Sequence, residues 1–276
     1  MQTRFLVDPV HYERMTVAEL RAAFLVENLF APDEVCLVHW EAERTILGSA
    51  VPRRGPLTLD APAELSAPFF AVRRELGVVN LGGPGTVTVD GRTHGLGRRD
   101  GLYIGRGSRE IVFASDREGD PALFYLVSHP AHASLPSARI AQGETETVRL
   151  GSQAGASVRV LRRYIHARGV PSCQLVMGVT DIEEGSVWNS IPPHTHHRRT
   201  EVYLYFDLAP TDFALHVMGP PENTRHLVVR NLQAVLSPSW SMHFGVATGR
   251  YAFVWSMGGE NQEFEDMQGV EAGRLR

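Results

Sequence analysis

The sequence predicts an all-β protein made of two similar β-barrels in tandem, with one short helix near the N-terminus. Three observations carry this prediction. Short segments rich in β-branched and aromatic residues recur along most of the chain. Gly (26 residues) and Pro (17) are plentiful between them, as tight turns require. The segments form two series of comparable length, separated by a polar, Pro-punctuated connector over residues 131–155. Many short strands joined this way close into sandwiches or barrels. The expected domains are 1–145 and 146–276.

The helix is expected over residues 16–29, where apolar side chains recur at helical spacing. Thr16 is a plausible N-cap and Glu19 stands at the capping-box position. The first strand series comprises residues 77–81, 86–90, 101–104, 110–113 and 123–127. Asp90 and Gly91 mark a tight hairpin. Gly82, Gly83, Pro84 and Gly85 lack the following helix and the Lys of a phosphate loop, so they read as a turn. The second series comprises residues 158–165, 173–179, 201–206, 213–218, 226–229, 233–236 and 251–255.

Composition excludes several function classes. A hydrophobic content of 43% with 21% charged residues describes an ordinary globular chain. A net charge of −4 offers no basic footprint for nucleic acid. No apolar run approaches the ~18 residues of a membrane span, and residues 1–8 lack a signal-peptide pattern. Only Cys36 and Cys173 occur, too few for a disulfide framework, so buried free thiols and a cytoplasmic location are expected. The chain has no Lys: all 27 basic residues are Arg. Schiff-base catalysis through a Lys amine is therefore excluded. Arg suits bidentate capture of a carboxylate.

The chemistry concentrates in one segment. His194, His196 and Glu201, followed 42 residues later by His243, supply three imidazoles and a carboxylate. That is the ligand set of a Zn²⁺ site, or of a comparable Mn²⁺, Fe²⁺ or Ni²⁺ site. In a His-x-His pair on a strand both side chains face one way, because orientation alternates with period two. Strict alternation would turn Glu201 outward; a bulge or turn around Arg198 and Arg199 would bring it back. The first half has only His94 in the corresponding stretch, so no metal is expected there.

His-x-His-x4-Glu followed by PSWSMH at 238–243 resembles the two-part cupin signature, with Trp240 where Gly is usual and a longer Gly185-to-His194 spacing. A more specific resemblance covers nearly the whole chain. RRELGVVNLGG at 73–83, TVTVDG at 86–91, CQLVMG at 173–178, EEGSVWN at 183–189, EVYLYFD at 201–207, ENTRHLVV at 222–229, PSWSMH and GENQ at 259–262 are similar to the 5-dehydro-4-deoxy-D-glucuronate isomerase family. Its members are also called 4-deoxy-L-threo-5-hexosulose-uronate ketol-isomerases. The resemblance implies a bicupin fold, an aldose–ketose isomerase acting on a small uronate, one Zn²⁺ per chain held by His194, His196, Glu201 and His243, and a homo-oligomer, commonly a hexamer. Pro193, His197 and Thr200 depart from the Cys, Glu and Met expected beside the ligands; the second departure puts a catalytic role for position 197 in doubt.

Isomerisation needs a proton shuttle, and Tyr203, Glu222 and His226 are candidates. The substrate carboxylate needs a cation; Arg225, Arg163 and Arg198 are candidates. Tyr205 shares the strand face of Glu201, with barrel packing as its plain alternative. A metal-dependent cupin dioxygenase of the quercetinase or pirin kind would use the same ligands, and a non-catalytic sugar-binding cupin would keep the barrel without them.

Overall fold

The computed structural model describes residues 1–260, 263 and 266–276. The GENQ motif at 259–262 runs beyond them. The chain forms two compact units. One comprises Met1–Arg4, Asn28–Thr145 and Tyr164–Val176; the other comprises Phe5–Glu27, Glu146–Arg163 and Met177–Arg276. Two segments thus cross the linear division expected near residue 145.

The first unit contains a seven-stranded and a four-stranded sheet. Ile46, Leu76 and Val78 from one sheet share a buried core with Val87, Ile111 and Phe113 from the other. The strand Arg74–Asn80 is buried along its whole length, including the polar side chains of Arg74, Glu75 and Asn80. Asp90 and Gly91 have φ of 48° and 80° between the strands Gly85–Val89 and Arg92–Leu96, as a primed hairpin turn demands. The glycine-rich segment is a turn between two strands. Buried Asn80 pins it, its Nδ2 donating to Gly83 O (2.8 Å) and its Oδ1 accepting from Gly82 N (3.1 Å). His94 is buried on the strand Arg92–Leu96. Cys36 and Cys173 are free thiols and only half-buried, contrary to the expected full burial.

The second unit also has two sheets. Seven strands run in the order Glu146–Leu150, Arg159–Ile165, Val176–Ile182, Ala252–Gly259, Arg199–Phe206, Gln233–Ser237 and Leu25–Val26. The five-stranded sheet has the order Arg225–Val229, Ala214–Gly219, Met242–Ala247, Trp188–Thr195 and Gln268–Gly269. Each unit is therefore a two-sheet barrel.

The helix forms as Val17–Phe24, with Thr16 and Glu19 in the reciprocal capping box. It stops five residues short of the expected end, because Leu25 and Val26 pair with Val235 and Ala234. Tyr12 and Phe24 set their rings edge-on to Trp240, at 5.2 and 6.4 Å. These contacts attach the N-terminal segment to the C-terminal barrel, which position in the chain does not reveal. Within the supposed connector, Ala138–Ile140 and Glu146–Leu150 are strands that pair with Gly101–Ile104 and Arg159–Ile165. Polar edge strands lack the alternating apolar pattern that sequence reading relies on. Among the described residues no helix is long and apolar enough to cross a membrane.

Candidate metal centre

The four candidate ligands converge from both sheets of the second unit. His194 stands on the strand Trp188–Thr195, directly opposite His243 on the strand Met242–Ala247. His196 lies one residue past the end of the first strand. His197 and Arg198 then turn, closed by Arg199 N donating to His196 O at 3.1 Å. That turn carries the chain to the other sheet, where Glu201 faces Ser237 and Met257 across the strand Arg199–Phe206. The parity conflict is thus resolved by a change of sheet.

The side-chain donor atoms lie within 4.8 Å of one another. Glu201 Oε2 sits 3.1 Å from His196 Nε2 and 3.0 Å from His243 Nε2. Glu201, His196 and His243 are 4%, 3% and 1% exposed. These three atoms are buried without a hydrogen-bond partner, a costly arrangement for polar groups left as they stand. A cation at their common focus removes that cost, so the residues fit a metal.

The outward ring nitrogens are held. His243 Nδ1 faces Ser237 Oγ at 2.9 Å, His194 Nδ1 faces Pro192 O at 3.4 Å, and His196 Nδ1 faces Asp266 O at 3.4 Å. Such contacts orient a ligand ring and leave Nε2 free to bind. Burial, with repulsion from His243 and His196, pushes the His194 pKa down to about 3. Burial likewise lowers His243, partly opposed by Glu201. For Glu201 burial acts upward, but the neighbouring His243 and His196 outweigh it and hold the carboxyl well below its usual range. Neutral imidazoles and an ionised carboxylate are the forms that bind metal.

The cluster opens into a cavity of about 300 Å³. Leu161, Phe253, Trp255 and Met257 line its apolar wall. Gly178 lets the Trp255 indole approach, since a Cβ there would stand 2.2 Å from both the ring and Arg162 O. The strand Trp188–Thr195 shifts register between Asn189 and His194, which brings Ser190, Ile191, Pro192 and Pro193 to the cavity.

Of the three acid–base candidates, only Tyr203 lines this cavity. Its hydroxyl is 3.2 Å from Ser190 Oγ and its ring centroid 5.1 Å from that of His243. Burial, aided by the charge of Glu201, raises its pKa well above 10, so the phenol is protonated. Tyr205 packs instead, its hydroxyl 2.9 Å from His216 Nδ1. Glu222 is exposed and paired with Arg274 at 2.5 Å. His226 is exposed on the edge strand Arg225–Val229.

The three arginine candidates also lie off the cavity. Arg225 donates to Tyr12 O at 3.1 Å and covers its ring at 5.6 Å. Arg163 pairs with its cross-strand neighbour Glu146 at 3.2 Å. Arg198 is 62% exposed and faces Glu260 at 3.6 Å. The cavity is lined instead by Arg159, four residues before Arg163 on the same strand and so on the same face. Arg159 is not among the candidates taken from the sequence, although strand parity puts it on the face of Arg163; only the contacts separate the two.

Comparison with known proteins adds an independent line. A family model described as KduI/IolB family matches residues 24–271. The chain is 48% identical to the 4-deoxy-L-threo-5-hexosulose-uronate ketol-isomerase of Lachnoclostridium phytofermentans and 45% identical to that of Caldicellulosiruptor bescii. Each match covers 100% of both chains. Among solved structures, an IolB-like protein from Salmonella typhimurium superposes with a TM-score of 0.74 at 15% identity, over 90% of this chain and 96% of the other. An oxalate decarboxylase from Bacillus subtilis gives 0.57 at 11% identity, over 82% and 71%. At such identities these structures speak for the fold alone, which is the expected pair of cupin-type barrels.

Proposed function

The chain belongs to the KduI/IolB family, and on that premise we propose that it is a ketol-isomerase of uronate catabolism. It interconverts 5-dehydro-4-deoxy-D-glucuronate and 3-deoxy-D-glycero-2,5-hexodiulosonate. The observation that carries this reading is the cluster of three His and one Glu at the wall of a cavity, in a chain alignable end to end with ketol-isomerases. Nothing in the comparisons favours the dioxygenase or the sugar-binding alternative.

His194, His196, Glu201 and His243 are the residues that would hold the metal, and we assign Zn²⁺, one per chain. When bound, it would act as a Lewis acid on the substrate's carbonyl and neighbouring hydroxyl. The reaction moves a proton between adjacent carbons through an enediol, so a base must take the proton from one carbon and return it to the next. The protonated Tyr203 hydroxyl supplies a hydrogen bond and a proton at a substrate oxygen, a role that exposed Glu222 and His226 are too remote from the cavity to fill. The apolar wall of Phe253, Trp255 and Met257 limits water and so strengthens each electrostatic contact. A homo-oligomer, hexameric by family resemblance, and a cytoplasmic location complete the proposal.

The test is a coupled isomerase assay beside metal analysis of protein purified without added metal. Uronate turnover that disappears with the metal and returns with Zn²⁺ is the expected result. No turnover by the metal-loaded chain would overturn the reading; recovery with another metal alone would overturn the zinc assignment.

A further inference from the structure

We propose that Arg159 is the residue that recognises the substrate's carboxylate, and so makes this cavity selective for uronates over neutral sugars. The inference rests on the isomerase reading and deepens it.

A sugar acid is ionised at neutral pH. Bringing its carboxylate into an apolar-walled cavity requires a matching cation, because an unpaired buried charge costs far more than a paired one. The chain has no Lys, so the partner must be Arg or a protonated His. Among the described residues that line the cavity, the ionic side chains are His194, His196, Glu201 and Arg159. The two imidazoles belong to the metal cluster and Glu201 is an anion. Arg159 is the cation that remains.

Its setting suits the role. Nη1 donates to Ser157 O and Nη2 to Ile191 O, each at 3.0 Å. These bonds use two of the five guanidinium N–H donors and clamp the plane from two sides. Both acceptors are neutral carbonyls, and among the described residues no carboxylate pairs with this guanidinium. Arg163, on the same strand face, has its charge met by Glu146 at 3.2 Å. A strand position with neutral partners and cavity access is pre-organised for a fork-to-carboxylate contact.

The arrangement also orients the substrate. Ile191, which accepts from Nη2, belongs to the strand that carries His194. One strand therefore links the proposed carboxylate anchor to a proposed metal ligand, so that gripping one end of an open-chain hexuronate fixes the reach of the other.

The experiment compares wild type, Arg159→Gln and Arg159→Lys on the uronate and on the analogue with a primary alcohol in place of the carboxylate, with metal content measured for each. In wild type the uronate is preferred. In Arg159→Gln that preference in kcat/KM falls by about 100-fold, mostly through KM, while bound metal is unchanged. Arg159→Lys recovers part of it, since an ammonium restores charge without the fork. Equal loss on both substrates, or an unchanged preference, would overturn the proposal. If Arg159→Gln does not fold, the lysine variant and wild type decide: no preference for the uronate in wild type overturns it. Calorimetric titration with D-glucuronate as probe separates this idea from the isomerase reading. Binding by wild type that Arg159→Gln lacks supports the carboxylate site even in a chain that turns over no uronate; equal binding by both, or none by wild type, removes it.

Discussion

His243 Nε2 lies 3.0 Å from Glu201 Oε2, while the opposite nitrogen of the same ring faces Ser237 Oγ at 2.9 Å. Ser237 is itself the cross-strand partner of Glu201. One strand pair therefore sets the carboxylate and the group that fixes the tautomer of an imidazole carried by the other sheet. Replacing Ser237 by Ala should weaken metal affinity about 10–100-fold without displacing the ligands. Chelator competition measures this; an affinity equal to wild type would mean that the hydroxyl does not orient the ring.

His196→Ala should abolish both metal retention and turnover, because it removes a donor from a buried cluster whose other members then face one another without a cation. Stoichiometry should be about one metal per chain, since the first barrel presents only His94 in the matching stretch. About two per chain, with half retained after His194 and His196 are replaced, would contradict the assignment.

Tyr203→Phe keeps the ring that packs 5.1 Å from His243 and Phe253 but removes the hydroxyl beside Ser190. We expect kcat to fall about 100-fold, with KM and metal content little altered, in line with the loss of a proton donor. A matching rise in KM with kcat intact would reassign Tyr203 to binding.

An enediol route predicts that turnover in D₂O places deuterium on the product's new CH₂OH carbon, because a proton once transferred to a side chain exchanges with water. Absence of solvent deuterium there, together with migration of a C2 label to the neighbouring carbon, would indicate an internal shift.

His129, in the first unit, is 1% exposed, and burial followed by the nearby Arg74 charge pushes its pKa from 6.5 to about 3. The unfolded ring takes up its proton near 6.5 and the folded ring only near 3, so between those values the unfolded state binds more protons. This contribution is fully present above 6.5 and is lost as pH falls toward 3. At about 1.4 kcal/mol per unit, lowering pH from 6.5 to 5 should cost up to ~2 kcal/mol. His129→Gln should flatten that part of the dependence, read as the difference in urea midpoints; the same slope in both proteins would locate the acid sensitivity elsewhere.

How far the sequence alone reached depends on the length scale of each signal. The capping box of Thr16 and Glu19 and the Asp90–Gly91 turn were legible because their determinants lie within a few residues. The grouping of His194, His196, Glu201 and His243, which the structure brings together, was legible too, since imidazole and carboxylate spacing is local and those residue types have few cheap alternatives in a core. The His-x-His pair placed His194 on a strand, but the extent of that strand and the strand that carries His243 were not foreseen: Pro192, Pro193 and Pro238 obscure the β pattern there.

What the tertiary structure alone decided is which long-range partners each charged side chain meets. Arg163, Arg198 and Arg225 are the candidates along the chain and Arg159 is not, although each of the four is an Arg on or beside a strand. Folding gives Arg163 to Glu146, Arg198 to Glu260 and Arg225 to Tyr12, and leaves Arg159 facing the cavity. Glu222 and His226 likewise sit on or beside an edge strand instead of the inner wall. Sequence determined the fold class and singled out a cluster that could hold a metal, through local spacing and residue type. The cavity wall depends on which strands pair and which face turns inward, and that is settled by contacts between residues tens of positions apart.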